Sequence, residues 1–126
     1  MTRLEFIKKV SNRRKQLKIT IENLAKLSNL SIRTINRLLA GDDIQISTIE
    51  KITNTLGLDF AGNETISLKK LKEQRAKQKA IFLASLVQST SALEKQGLDE
   101  NSLNRLIFWF EKELLNGEYK NSLWVA

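Results

Sequence analysis

The chain has no cysteine, no histidine and no proline among its 126 residues. Disulfides, thiolate–zinc sites and triads built on His or Cys are therefore excluded, and neither a metal nor a cofactor is expected. No apolar run reaches the roughly 18 residues that span a bilayer. Phe6-Ile7 is followed at once by Lys8 and Lys9, so a signal-peptide core is missing from the N-terminus. The expectation is a cytoplasmic chain without a membrane partner. There are only five glycines, apolar residues recur at helical spacing, and no stretch alternates as a strand would. The fold class expected is all-α.

The 21 Lys+Arg against 14 Asp+Glu leave a charge of +7. That excess attracts a polyanion such as DNA and also serves solubility. It is uneven: residues 1–63 carry 11 basic and 6 acidic side chains, a balance of +5, and residues 64–126 carry 10 and 8, a balance of +2.

Helical periodicity predicts elements at residues 3–16, 21–28 and 32–40, with Leu4, Ile7 and Val10 on one face of the first. Thr20 and Ser31 are placed to cap the second and third, and Gly41 to stop the third. A fourth helix is expected after Ser47, where Ser47-Thr48-Ile49-Glu50 reads as a capping box and Ile49, Ile52 and Leu56 face inward. Residues 58–66 read as a linker. A long helix at 67–96, closed by Gly97, precedes a last one at 100–116, capped by Asp99 and ended by Gly117. Leu103, Leu106, Ile107, Phe110 and Leu114 form its expected buried stripe.

The segment 20–41, TIENLAKLSNLSIRTINRLLAG, meets the needs of two short helices joined by a tight turn. Ala25 supplies the small residue where they cross, Asn29 tolerates positive φ in the turn, and Leu24, Leu30, Ile35 and Leu38 anchor the second helix. Its polar residues Ser31, Arg33, Thr34, Asn36 and Arg37 are then candidates to face a DNA major groove, Arg suiting guanine and Asn suiting adenine. Lys15, Lys18 and Lys26 are candidates for phosphate contacts, which add affinity without reading sequence. The competing reading makes Arg33 and Arg37 solvated charges on an ordinary helical bundle.

Residues 4–60 resemble the helix-turn-helix domains of the lambda-repressor, Cro and XRE-type family. The resemblance rests on Leu24-Ala25, Ser31, Ile35-Asn36-Arg37, Gly41 and a following helix that ends in Leu56-Gly57-Leu58. It implies a lambda-repressor-like DNA-binding domain of five-helix type over residues 1–62, followed by a C-terminal helical extension over 63–126. Ile21 stands where the family often has a phosphate-contacting Gln, and Asn29 where it usually has Gly.

In the second half, the basic run 69–79 reads first as a solvated helix face. The segment 87–97, VQSTSALEKQG, places Thr90 and Glu94 four residues apart on one helix face. A carboxylate on an apolar stripe asks for a cationic partner, which Lys95, Arg105 or another protein's Arg would supply. Glu94 with Asp99 or Glu100 mimics a carboxylate pair, but no nucleophile or phosphate loop accompanies it, so the chain is not expected to be an enzyme or to hold catalytic residues.

TSALEKQGL and the closing Leu123-Trp124 resemble the C-terminal half of the proteins called mobile mystery protein A, which accompany a Fic-domain protein. The core also resembles the inhibitory helix of Fic antitoxins: Ser or Thr, three residues, Glu, then Gly or Asn. Lys95 departs from the last position. The resemblance implies a cognate toxin of Fic type as partner. Glu94 would pair with an active-site arginine of that toxin, and Thr90 would fix the helix. The expected whole is an operator-binding repressor that is also an antitoxin. It would act as a homodimer joined through Phe108, Trp109 and Trp124. The alternative is a phage or mobile-element repressor whose C-terminal helices only dimerise.

Overall fold

The computed structural model describes residues 2–93 and 99–126, with side chains described through Ser89 in the first span. It is all-α. The described elements are α1 (Arg3–Leu17), α2 (Ile21–Ser28), α3 (Ile32–Leu39), α4 (Ile46–Leu56), α5 (Leu68–Leu93) and α6 (Glu100–Asn116), with a short 3-10 turn at Lys120–Ser122. None of the described helices is long and apolar enough to cross a membrane. Two compact units result. The first is Met1–Leu71 with Trp124–Ala126, and the second is Lys72–Leu123.

Helix α1 opens on a capping box that the sequence reading did not anticipate. The Thr2 hydroxyl accepts the Glu5 N–H at 3.2 Å, and the Thr2 N–H donates to the Glu5 carboxylate at 3.4 Å. The box expected at Ser47 and Glu50 does not form. Helix α4 starts two residues earlier, at Ile46, because Gln45 takes an extended conformation and its carbonyl accepts from Thr48 and Ile49, both at 3.1 Å. Ser47 thereby falls inside the first turn. The inward face of α1 also shifts. It runs through Val10, Arg13 and Leu17, while Leu4 is 61% exposed.

In the first unit α1 packs on α3 and α4, and α2 packs on α3 and α4. Val10, Leu17, Ile19, Leu24, Ile35, Ile52 and Leu56 are each at most 1% exposed and form its core. Residues 58–66, read as a linker, are instead a folded loop. Leu58 bridges to Glu64, and Asp59 accepts the N–H groups of Ala61 and Asn63 at 2.9 Å.

Arg13 is a charged member of this core, 4% exposed. Its Nε donates to the Leu56 carbonyl at 2.8 Å and its Nη2 to the Ile66 carbonyl at 2.5 Å, while Nη1 lies 3.6 Å from Glu64. Leu56 is the last residue of α4, so the guanidinium satisfies a free carbonyl at the negative end of a helix. Gly57 makes room for it. Its φ is +69°, and a Cβ there would sit 3.1 Å from the Arg13 Nη2.

In the second unit Ser122 and Leu123 bond to α5. The Arg75 Nε donates to the Leu123 carbonyl at 2.8 Å, and the Lys79 Nζ donates to the Ser122 carbonyl. Burial holds both pKa values below their ordinary range, and for Lys79 the neighbouring Arg75 charge adds to the effect. Asp99 caps α6 as expected, accepting the Ser102 N–H at 2.6 Å. That bond holds its carboxyl below the usual range.

The buried stripe expected on α6 is thin. Leu114 is buried, but Leu103, Leu106, Ile107 and Phe110 are only half-buried. Among the described side chains of α5 the fully buried ones are Ala76, Ala80 and Ala84, a stripe of small side chains at four-residue steps. Phe82 and Leu86, one turn apart on a different face, are 59% and 51% exposed.

Replacing Arg13 by Met would leave two carbonyls without their donor. Each such loss typically costs about 1–3 kcal/mol, so Arg13→Met is expected to destabilise the chain by roughly 2–6 kcal/mol in urea unfolding. Lys9→Met, which removes only the exposed bond to Asn63, is expected to stay within about 0.5 kcal/mol. Equal midpoints for the two variants would contradict this account.

Candidate nucleic-acid interface

Local chemistry sets the geometry of α2 and α3. Thr20 accepts the Asn23 N–H at 3.1 Å and so starts α2. Asn29 ends it in the left-handed region, at φ 58° and ψ 44°, where an Asn side chain is tolerated. The N–H of Leu30 then bonds back to the Ala25 carbonyl at 2.9 Å. Ser31 restarts the chain as a helix by accepting the Thr34 N–H at 3.1 Å. The turn is thus only the residues Asn29, Leu30 and Ser31.

Packing then fixes which side of α3 faces out. Ile35 is fully buried and Leu38 is 4% exposed, against Leu24 at 1% and Ala25 at 3% on α2. Leu30, the fourth expected anchor, is half-buried. With that side held down, Ile32, Arg33, Asn36 and Arg37 all lie exposed on the other. They occupy two parallel rows at four-residue steps, Ile32–Asn36 and Arg33–Arg37.

The candidate residues are not equivalent. Arg33 has no ion pair among the described residues. The Arg37 Nε lies 3.4 Å from the Asp42 carboxylate, with both side chains about half exposed. The Ser31 and Thr34 hydroxyls bond to each other at 2.8 Å, and Thr34 is half-buried, so this pair mainly serves the start of the helix. Lys15 and Lys18 at the end of α1 and Lys26 on α2 are exposed, each on an element other than α3. Lys18 closes α1 in a left-handed conformation, at φ 59°.

Reasoning from sequence missed two acids beside this surface. Asp42 pairs with Arg37, and Asp43 accepts from Arg3 at 2.5 Å while the same guanidinium donates to the Gly41 carbonyl at 2.8 Å. The signal for the first was the five-residue step from Arg37 to Asp42. Nothing local pointed to the second, because its partner is 40 residues away.

Of the two residues read as toxin-inhibitory, Thr90 lies on α5 and Glu94 lies outside the described residues. Among the described residues, no three Asp or Glu side chains group as a metal site would require.

Residues 10–63 match the Helix-turn-helix family model. No curated protein and no solved structure matches the chain. The matched span runs from Val10 to Asn63 and takes in α2, the turn, α3 and α4. The capped pair of helices, the left-handed Asn29 and the outward polar rows of α3 all fall inside it. Residues 10–63 are a helix-turn-helix domain of the XRE and lambda-repressor-like kind, and such a domain implies DNA binding.

Proposed function

We propose that the chain is a sequence-specific transcriptional repressor that reads a double-stranded operator with α3. The observation that carries this is the exposed set Arg33, Asn36 and Arg37 on the outward side of a helix whose inward side is fully buried. Arg and Asn are the side chains best matched to guanine and adenine edges in the major groove. Ser31 and Thr34 hold the start of the helix at the groove. Lys15, Lys18 and Lys26 contribute phosphate contacts, and Asp42 limits the directions in which Arg37 reaches.

The protein acts as a homodimer, because one recognition helix covers few base pairs and a two-fold pair doubles the reading. Exposed Phe82 and Leu86 on α5, with Phe108 and Trp109 on α6, favour the second unit as the site of self-association. Trp124 was expected to join that contact; it is 8% exposed within the first unit, so it does not serve there. These exposed side chains equally suit the reading in which the second half only dimerises.

In the fuller reading, the second half is also the antitoxin of a Fic-type toxin. The support is the Thr90–Glu94 spacing within a segment that resembles the Fic-inhibitory helix. Glu94 would pair with an arginine of the toxin, and Thr90 would steady the helix.

Light scattering of the chain alone and with its co-expressed genomic neighbour tests both parts. Two copies of the chain are expected, with the neighbour bound stoichiometrically. Glu94→Gly should retain that complex yet release the neighbour's nucleotide-transfer activity. A single-copy mass contradicts the dimer, and equal restraint by both proteins removes Glu94 from the mechanism.

For groove reading, Arg33→Ala is expected to cost about 1–3 kcal/mol of specific affinity, and Lys18→Ala to weaken all duplexes alike and lower the salt slope by about one. Titrations of operator and scrambled duplex at several salt concentrations separate the two. Unchanged operator preference in the Arg33→Ala, Arg37→Ala double variant would contradict the assignment.

A further inference from the structure

Ile32 does not fit the purely polar account of α3. It is the first residue of the helix, directly after the Ser31 cap, and it is 46% exposed. Three residues on, Ile35 is fully buried, so α3 already has its apolar anchor. Ile32 is not there for helix formation either, since a β-branched side chain loses rotamer freedom in a helix. An isolated exposed apolar side chain needs no explanation on an ordinary surface. This one stands in the same row as Asn36 and beside Arg33, at the N-terminal end of the recognition helix, the part of such helices that approaches base edges.

The major groove presents one apolar group, the C5-methyl of thymine. We propose that Ile32 is a specificity-determining residue that selects thymine by packing on that methyl. The proposal rests on the reading of α3 as the DNA-recognition helix. Asn36 lies four residues further along the same row, about 6 Å along the helix axis, which is less than two base steps at about 3.4 Å each. The two side chains therefore fall within about two base pairs of each other. Asn bonds the N6 and N7 edge of adenine, so the row Ile32–Asn36 is suited to a short A·T-containing element. Arg33 and Arg37, in the parallel row, are suited to guanine beside it.

The full-length chain is used to select a preferred duplex from a random pool. Each thymine of that duplex is then replaced singly by uracil, which keeps the base pair and removes only the methyl. One methyl kept from water is worth about four-fold in binding. Wild type is expected to lose about four-fold at one thymine of each half-site. Ile32→Ala should bind the parent duplex correspondingly more weakly and show no further loss with uracil at that position. Its unfolding midpoint should be that of wild type, because the side chain is exposed. Ile32→Gln, in a repeated selection, should move the preference at that position from thymine to adenine.

A selected duplex whose uracil versions all bind wild type equally would overturn the proposal. So would the same uracil loss in wild type and Ile32→Ala. Selection of no preferred sequence would overturn the reading of α3 as well, which keeps the two failures apart.

Discussion

The outward presentation of α3 depends on how closely α2 can lie against it. Ala25 is buried in α2, which packs on α3, and its carbonyl receives the Leu30 N–H that folds the turn back. Packed helix axes stand about 8–10 Å apart, according to the side chains between them. A larger side chain at Ala25 would push α3 outward and rotate it. The left-handed Asn29 supplies the second half of the constraint, because it reverses the chain within the turn. With distance and angle set, Ile35 and Leu38 point into the core. Ile32, Arg33, Asn36 and Arg37 have no direction left but outward.

A second constraint is electrostatic. The buried guanidinium of Arg13 ties the end of α4 to the loop that follows it. A charge in an apolar core is tolerated only when its donors are satisfied, and here both bonds go to main-chain carbonyls. The second unit has less to work with. Its buried residues include a stripe of alanines and Leu114, while bulky apolar side chains on α5 and α6 stay in contact with solvent. The first unit thus has a core of large aliphatic side chains, while the described part of the second leaves Phe82, Leu86, Phe108 and Trp109 exposed.

Local signals in the sequence made much of this legible. The bounds of α2 match expectation, and those of α3 match to one residue, because Thr20, Asn29 and Ser31 act on their immediate neighbours. Asp99 and α6 were equally readable. What escaped was decided at a distance. The partners of Arg13 lie 43 and 53 residues away. Trp124 follows a turn whose carbonyls are held by Arg75 and Lys79, 48 and 43 residues back. Helix α4 escaped for another reason: its start is set by the backbone of Gln45, which carries no side-chain cap. The exposure of Arg33 and Asn36 on α3 was legible from helical spacing. The Asp42 restraint on Arg37 was not, since it needs the turn after α3 to bring the two together.

Dimethyl sulfate footprinting on a selected operator tests the central claim, that α3 reads the major groove, most directly. The reagent reports guanine N7 in the major groove and adenine N3 in the minor groove. The account predicts protected guanine N7 atoms in two clusters about one helical turn apart, as a two-fold pair of recognition helices requires. Protection at adenine N3 alone, with guanine N7 unchanged on a fully bound operator, would contradict it.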